Sequence, residues 1–404
     1  MQIERIVSRV LSCCAPFMHA QRLQALRDVV GAAVGGGWLS LSCLAGGTRR
    51  ATALRHRVKC VDRLLGNRHL HGEREAVYAA LARGWLGDLA QLLIVVDWSS
   101  LSGDMQWHGL RASVVLEGRS VTLYEEVHPR RCLANRGVHR RFVQRLARLL
   151  PASARPPIVL TDAGFRTTWF QLLAAHNWDW IGRVRNRDFV RLPGREWFPA
   201  KSLYRQARSR AQDLGRYQSV RSNPIDARLV LVAAPPKGRK RRHRSGRPVR
   251  TTPARKIAAR NREPWLLTCS PRLGHLSAPS IVHLYAQRMR IEQQFRDTKN
   301  CALGMGLRHA RSSGAQRLQV LLLINHVATL AKRLIGEAAR AHQFQLQLMS
   351  TNRKDRPEIS VMTLATRLIA QPALLRALPN PWPYVQRLRQ QVTAAFTFPA
   401  ADTT

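Results

Sequence analysis

The stretch QLLIVVDWSS, residues 91–100, is an unbroken apolar run of strand length that ends on an acid, Asp97. Short runs rich in β-branched residues read as strands buried on both faces. Working outward, RASVVLEG and RSVTLYEEV (111–127) read as two further strands joined across Glu117-Gly118, a hairpin signal. RGVHRRFVQRLARLLP (136–151) sets Phe142, Leu146, Leu149 and Leu150 at helical spacing, and Pro151 stops the helix. PPIVLTDAGF (156–165) is another buried-type strand, ending in Asp162, and FRTTWFQLLAAHNWDWIGRVR supplies a helix and a fifth strand. The expected order is β-β-β-α-β-α-β, which makes the chain α/β. One aspartate at a strand end is usually a turn residue. Two, closing the first and fourth strands of this order, point to a shared task.

Composition narrows that task. The chain has 404 residues, 45% of them hydrophobic, which is ample for a buried core. Lys and Arg number 66 against 24 Asp and Glu, a formal net charge of +42. Such a charge calls for a polyanionic partner, with nucleic acid the usual one, but does not name a reaction. Arg far outnumbers Lys, which suits bidentate phosphate contacts and equally reflects a GC-rich genome. The seven cysteines are scattered with no C-x-x-C pair, so neither a disulfide framework nor a zinc knuckle is indicated and a reducing cytosol fits. Residues 29–47 are uncharged and about long enough to span a bilayer, but their Gly and Ser content favours a buried helical segment.

Residues 1–86 read as a helical DNA-binding domain. There WLSLSCLAGG ends at glycines and an Arg-rich segment, TRRATALRHRVKCVDRLLGNRHL, follows with Thr48 as its cap. This pair suits a helix-turn-helix reader or simply two packed helices with a basic face. Residues 87–185 form the first part of the core and 186–278 a mostly-β insertion. Within the insertion LVLVAAPP and EPWLLTCS are strand-like, and the tract 235–264 is nearly all cation, Pro and Gly. That tract reads as a mobile loop for salt-dependent phosphate contact. Residues 279–340 complete the core and 341–404 form a C-terminal helical region.

LYAQRMRIEQQFRDTK (284–299) reads as one helix with Glu292 among Arg288, Arg290, Arg296 and Lys299. At about 100° per residue, Arg288, Glu292 and Lys299 fall roughly 60°, 20° and 40° from Tyr285, on one narrow stripe. An ordinary polar face is one reading. The other is a metal-binding carboxylate working against phosphates, because Asp97, Asp162 and Glu292 together suit Mg²⁺, a hard ion that prefers oxygen ligands. Two such ions suit phosphoryl transfer.

Tyr285, Arg288, Glu292 and Lys299 also match Y-(2)-R-(3)-E-(6)-K. With the blocks VDWSSL, LRASVVLEGRSVTLYEE, TDAGF, PWLLT, GLRHARSS and DRLLGNRHLHGEREAVY, the chain resembles the DDE transposases of bacterial insertion sequences, in the insertion-sequence-four family and its transposon ten branch. The resemblance covers most of the chain. It implies a ribonuclease-H-like catalytic core, closed by a catalytic helix and interrupted by the insertion, in which the strands bearing Asp97 and Asp162 lie side by side. It further implies a triad of Asp97, Asp162 and Glu292 holding two Mg²⁺ ions, with Mn²⁺ as a substitute. Tyr285, Arg288 and Lys299 would grip phosphates at the element's end. Trp265 would stack on a flipped base or else serve as a core residue of its strand. Double-stranded DNA, as terminal inverted repeats and target, would be the partner, bound by a homodimer in the bacterial cytoplasm at the nucleoid. Excision would pass through a hairpin before strand transfer. A ribonuclease-H-like nuclease that cuts without joining, and a DNA-binding protein derived from an inactive transposase, are the other readings.

Overall fold

The computed structural model describes residues 2–87, 89–151, 155–233, 251–252, 263–301, 304–349 and 359–398. It is a mixed α/β protein made of two compact units, Met1–Arg155 with Met289–Thr397, and Pro156–Arg288 with Phe398–Thr404. The basic tract 235–264, apart from residues 251–252 and 263–264, lies outside the described residues.

The first unit opens with helices α1 (Gln2–Val10), α2 (Ala20–Val34), α3 (Leu41–Gly47), α4 (Leu54–Leu65) and α5 (Arg68–Leu86). The uncharged segment 29–47 is thus divided between α2 and α3. Thr48 does not cap α4. It ends α3 instead, its hydroxyl donating to the Ala45 carbonyl at 2.8 Å, while Ala53 precedes α4 without a side-chain cap. Threonine satisfies carbonyls at a helix end as readily as amides at a helix start, so composition alone misplaced it.

Strands β1 (Leu93–Ser100), β2 (Trp107–Val115) and β3 (Ser120–Pro129) form an antiparallel meander in the order β1-β2-β3. Gly118, at φ +68°, makes the tight β2–β3 turn, closed by the Leu116 amide on the Arg119 carbonyl at 2.9 Å. Helix α6 (Arg136–Leu149) follows, started by Asn135, whose side chain accepts from the Val138 amide. The strand β1 runs three residues past Asp97, so that aspartate lies inside the strand opposite Arg111, not at its end. The first four residues of β1 are buried and the last four half-buried. Only the buried half has an apolar pattern to read.

The second unit holds β4 (Ile158–Leu160), helix α7 (Thr167–Ala175) and β5 (Asp179–Arg183), then β6 (Phe189–Arg191), β7 (Phe198–Pro199), β8 (Gln212–Ser219), β9 (Ile225–Val232), β10 (Trp265–Cys269) and α8 (Ala278–Ala286). Its strands run β4-β5-β10-β9-β8-β6-β7, with β4 and β5 parallel across α7 and the other pairs antiparallel. Val184, Val190, Leu203, Leu229, Leu231 and Leu266 make a core over the β5–β10 region. At Gly182 on β5 an added Cβ would lie 2.4 Å from Cζ of the buried Phe170, whose ring stacks on Trp180. Overpacking of this kind costs about 1–3 kcal/mol. Gly182→Ala is therefore expected to lower the thermal denaturation midpoint, and an unchanged midpoint would show that the ring has room to move.

The chain returns to the first unit as α9 (Met289–Lys299), α10 (Ala315–Ala341), α11 (Gln345–Leu348), α12 (Val361–Ile369), α13 (Pro372–Ala377) and α14 (Val385–Ala394). Among the described residues α10 alone is long and apolar enough to cross a membrane. Here 89% of its apolar window is buried inside the protein, where α10 packs on α2, α12 and β3.

The stretch 284–299 is not one helix. It is the end of α8 and all of α9, separated at Gln287–Arg288, where the Gln287 and Arg288 amides bond to the carbonyls of Leu284 and Tyr285 three residues back. A turn tightened to i→i−3 bonding breaks the 100° rule. The 100° stripe is therefore read for each helix by itself. Within α9 it does hold, because Glu292 and Lys299 are seven residues, about two turns, apart.

Candidate active site

Asp97, Glu292 and Lys299 belong to the first unit, and Asp162, Trp265, Tyr285 and Arg288 to the second.

In the first unit, Asp97 is half-buried on β1 and its Oδ1 accepts from the Trp98 amide at 2.8 Å. Two residues on, Ser99 accepts from Lys299 Nζ at 2.6 Å, which ties the end of α9 to the same strand. The Lys299 ammonium also sits 5.4 Å above the Phe295 ring. Burial, then the positive charges of Arg308 and Arg111, pull the Lys299 pKa down to about 8, against an upward pull from Asp97. Glu292, in the first turn of α9, is exposed, and an acid there is favoured by the helix dipole.

What fixes α9 is a buried polar layer. Gln294 accepts from the Ser113 and Ser120 hydroxyls at 2.8 and 2.9 Å and donates to Thr122 at 2.7 Å. Arg111, fully buried on β2, donates to Glu125 at 2.7 Å and to Thr298 at 3.3 Å. Ser113 and Arg111 of β2 and Ser120 and Thr122 of β3 thus hold the Gln294 and Thr298 side of α9, while Glu292 is exposed.

In the second unit, Asp162 lies two residues beyond β4, its Oδ1 accepting from the Gly164 amide at 2.7 Å. Arg185 reaches back to the carbonyls of Ala163 and Gly164 in the same turn. Tyr285 is buried in α8, 4% exposed, and meets Trp265 edge to face at 5.3 Å. Burial pushes its hydroxyl up to about 12, opposed by Arg288 and Arg183, with the Arg288 guanidinium hydrogen-bonded to it. A tyrosine so placed is neutral at physiological pH and orients Arg288. Trp265 begins β10 opposite Val232 and is half-buried, so it is both a strand residue and partly accessible.

Sequence reasoning missed Ser99 as the partner of Lys299, and Arg185 as the brace of the Asp162 turn. The cationic run RVRNR (183–187) was the available signal for the second.

Asp97, Asp162 and Glu292 offer only oxygen donors, which is the chemistry a hard divalent cation requires. Among the described residues no three His, Cys, Asp or Glu side chains come together as a group able to hold a metal ion. The fit therefore rests on the donor set.

Lys299 carries a pH prediction. It is charged below about 8 and loses its charge as pH rises through that value, so any phosphate it holds is released on the alkaline side. Raising the pH from 7 to 9.5 is expected to make the salt dependence of DNA binding shallower by about one unit. Lys299→Arg, which stays charged, should keep its slope across the range. Equal slopes for the wild-type protein at the two pH values would remove Lys299 from the interface.

The chain matches the family described as Transposase DDE domain over residues 89–330. No curated protein matches it. Among solved structures it matches a cryo-EM structure of the piggyBac transposase synaptic complex with hairpin DNA, at 11% identity and TM-score 0.42, over 96% of this chain and 78% of that one.

Proposed function

This chain belongs to the Transposase DDE domain family, and from that premise we propose that it excises an insertion sequence by cutting DNA at the terminal inverted repeats and joins the freed 3′ ends to target DNA. Asp97, Asp162 and Glu292 are the acidic triad of this reading. It is carried by the family match, whose residues 89–330 include all three. A ribonuclease-H-like core, membership of the insertion-sequence-four family and a paired-end homodimer go with the reading, as does a hairpin intermediate.

The triad would hold Mg²⁺ or Mn²⁺. When bound, such ions activate an attacking oxygen and stabilise a leaving one in phosphoryl transfer. The chain's own groups do the rest. Arg288, oriented by Tyr285, presents a planar guanidinium suited to a bridging contact with a phosphate. Lys299, held by Ser99, adds a point charge two turns along from Glu292. The Trp98 amide donates to Asp97 and the Gly164 amide to Asp162, contacts that favour an ordered carboxylate before reaction. Trp265, half-buried at the start of β10, would stack on an unpaired base.

The test is incubation of the purified protein and Mg²⁺ with a plasmid carrying both element ends. Excised linear element and strand-transfer products are expected, with none from a plasmid lacking the ends. Equal cleavage of both plasmids, without joined products, would identify a nuclease that cuts without joining.

A further inference from the structure

A cavity of about 360 Å³ opens within the second unit, lined by the first turn of α7, the end of β5 and the residues after it, the β8–β9 turn and β10. Among the described residues its wall carries Arg166, Arg183, Arg185 and Arg187 against one acid, Asp188. Two of these cations are already engaged, Arg183 by the carbonyls of Glu263 and Pro264 and Arg185 by those of Ala163 and Gly164. Among the described residues no ion pair joins Arg166 or Arg187 to a carboxylate, and both are exposed. The cluster is crowded enough that Arg166 and Arg187, after burial, pull the Arg185 pKa down. Like charges this close are unfavourable unless an anion lies among them.

A second, independent feature belongs to the same wall. Thr167, Ser219 and Thr268 line the cavity, are only 2%, 3% and 3% exposed, and their hydroxyls have no hydrogen-bond partner among the described residues. Buried hydroxyls left unsatisfied are costly and rare. Three in one wall, beside two uncommitted guanidinium groups, form a donor set for an acceptor-rich anion. Phe165 and Phe170, with Val184, Val220 and Ile225, add apolar surface to the lining, which a simple inorganic ion would not need. The volume falls at the small end of the range for small-molecule sites.

We propose that this cavity is a phosphate site sized for one nucleotide, in which Arg166 and Arg187 meet the charge, the Thr167, Ser219 and Thr268 hydroxyls donate to the phosphate oxygens, and the phenylalanines cover the base or sugar. The phosphate comes from a free nucleotide or from an unpaired nucleotide of DNA. The site needs none of the three acidic residues and does not rest on the cleavage reading.

The probe is dTMP, titrated calorimetrically into the full chain without divalent metal, so that the result is separate from any cleavage assay. One-site saturable binding is expected, with thymidine, which lacks the phosphate, at least about tenfold weaker. Arg187→Gln should weaken dTMP by about tenfold and Thr268→Val, which keeps shape and charge, by about fivefold. Arg216→Gln removes the same charge from the exposed face of β8, outside the cavity, and should leave binding unchanged. If Thr268→Val binds like the wild-type protein, or Arg216→Gln loses as much as Arg187→Gln, the attraction is only that of a very basic chain and the site does not exist. Melting temperatures close to wild type confirm that the variants are folded. Displacement of dTMP by a short single strand with a 5′-phosphate, but not by the same strand without one, assigns the site to a DNA terminus. Equal displacement assigns it to an internal phosphodiester, and no displacement by either to a free nucleotide.

Discussion

Asp97→Asn and Glu292→Gln are each expected to lower strand cleavage at the element ends by on the order of 10³-fold or more while leaving DNA affinity at or slightly above that of the wild-type protein. Loss of a carboxylate from a metal-binding set removes several kcal/mol of transition-state charge stabilisation, and each 1.36 kcal/mol is about tenfold in rate. Binding moves the other way because each change deletes a negative charge that faces a polyanion. The opposed signs matter. A variant that merely misfolds loses cleavage and binding together, whereas one that lacks a metal ligand loses only cleavage. Glu292 is the cleaner of the two, since it is exposed on the first turn of α9 whereas Asp97 is half-buried on β1. Asp97 also accepts from the Trp98 amide, a bond that the Asn carbonyl can keep. Cleavage within tenfold of wild type in either variant would remove that residue from the triad.

The strand order from Leu93 to Arg183 was legible because each element carries a periodic or continuous apolar signal with a turn residue at its boundary. Gly118 is such a boundary, and it does the work that its residue type suggests. Legibility stopped where the physics is not periodic. The half-buried end of β1 has no apolar run, so Asp97 was assigned to the strand's end. The apolar spacing of Leu284, Ile291 and Phe295 continues through the break at Gln287–Arg288, and a tightened turn leaves no mark on such a pattern. The candidate site divides in the same way. Glu292 and Lys299 could be placed on one stripe from spacing alone, but the burial of Tyr285 beneath Trp265 could not, because a tyrosine within a cationic motif reads equally as a contact residue. The cavity between α7 and β8 was invisible for a further reason. Its arginines and hydroxyls come from four segments, and only the folded sheet gathers them.

The buried pair Arg111–Glu125 is the least readable feature and predicts the largest effect on stability. Both side chains are 0% exposed, in strands where an alternating pattern would assign charged residues to solvent. Arg111 donates to Glu125 at 2.7 Å and to Thr298 at 3.3 Å, and its guanidinium lies 4.4 Å from the Phe295 ring centre. Tyr78 donates to the second carboxylate oxygen at 3.2 Å, with its own hydroxyl pushed upward by burial and by Glu125. Removing one partner from a desolvated pair strands the other charge, at a cost of about 3–5 kcal/mol. Arg111→Met should therefore lower the melting midpoint by about 10 °C at the few degrees per kcal/mol of a large domain. The double variant Arg111→Met with Glu125→Leu should recover much of that loss, because it removes the stranded carboxylate as well. Recovery of stability need not restore activity. Without Arg111, Thr298 loses a donor that ties α9 to β2, one residue before Lys299. The double variant is thus expected to melt near wild type yet bind DNA with the weaker salt dependence of a chain whose α9 has lost its Arg111 tie beside Lys299. A single variant that melts within about 2 °C of wild type would show that the pair is dispensable for stability, and a double variant with wild-type salt dependence would show that it does not position the helix.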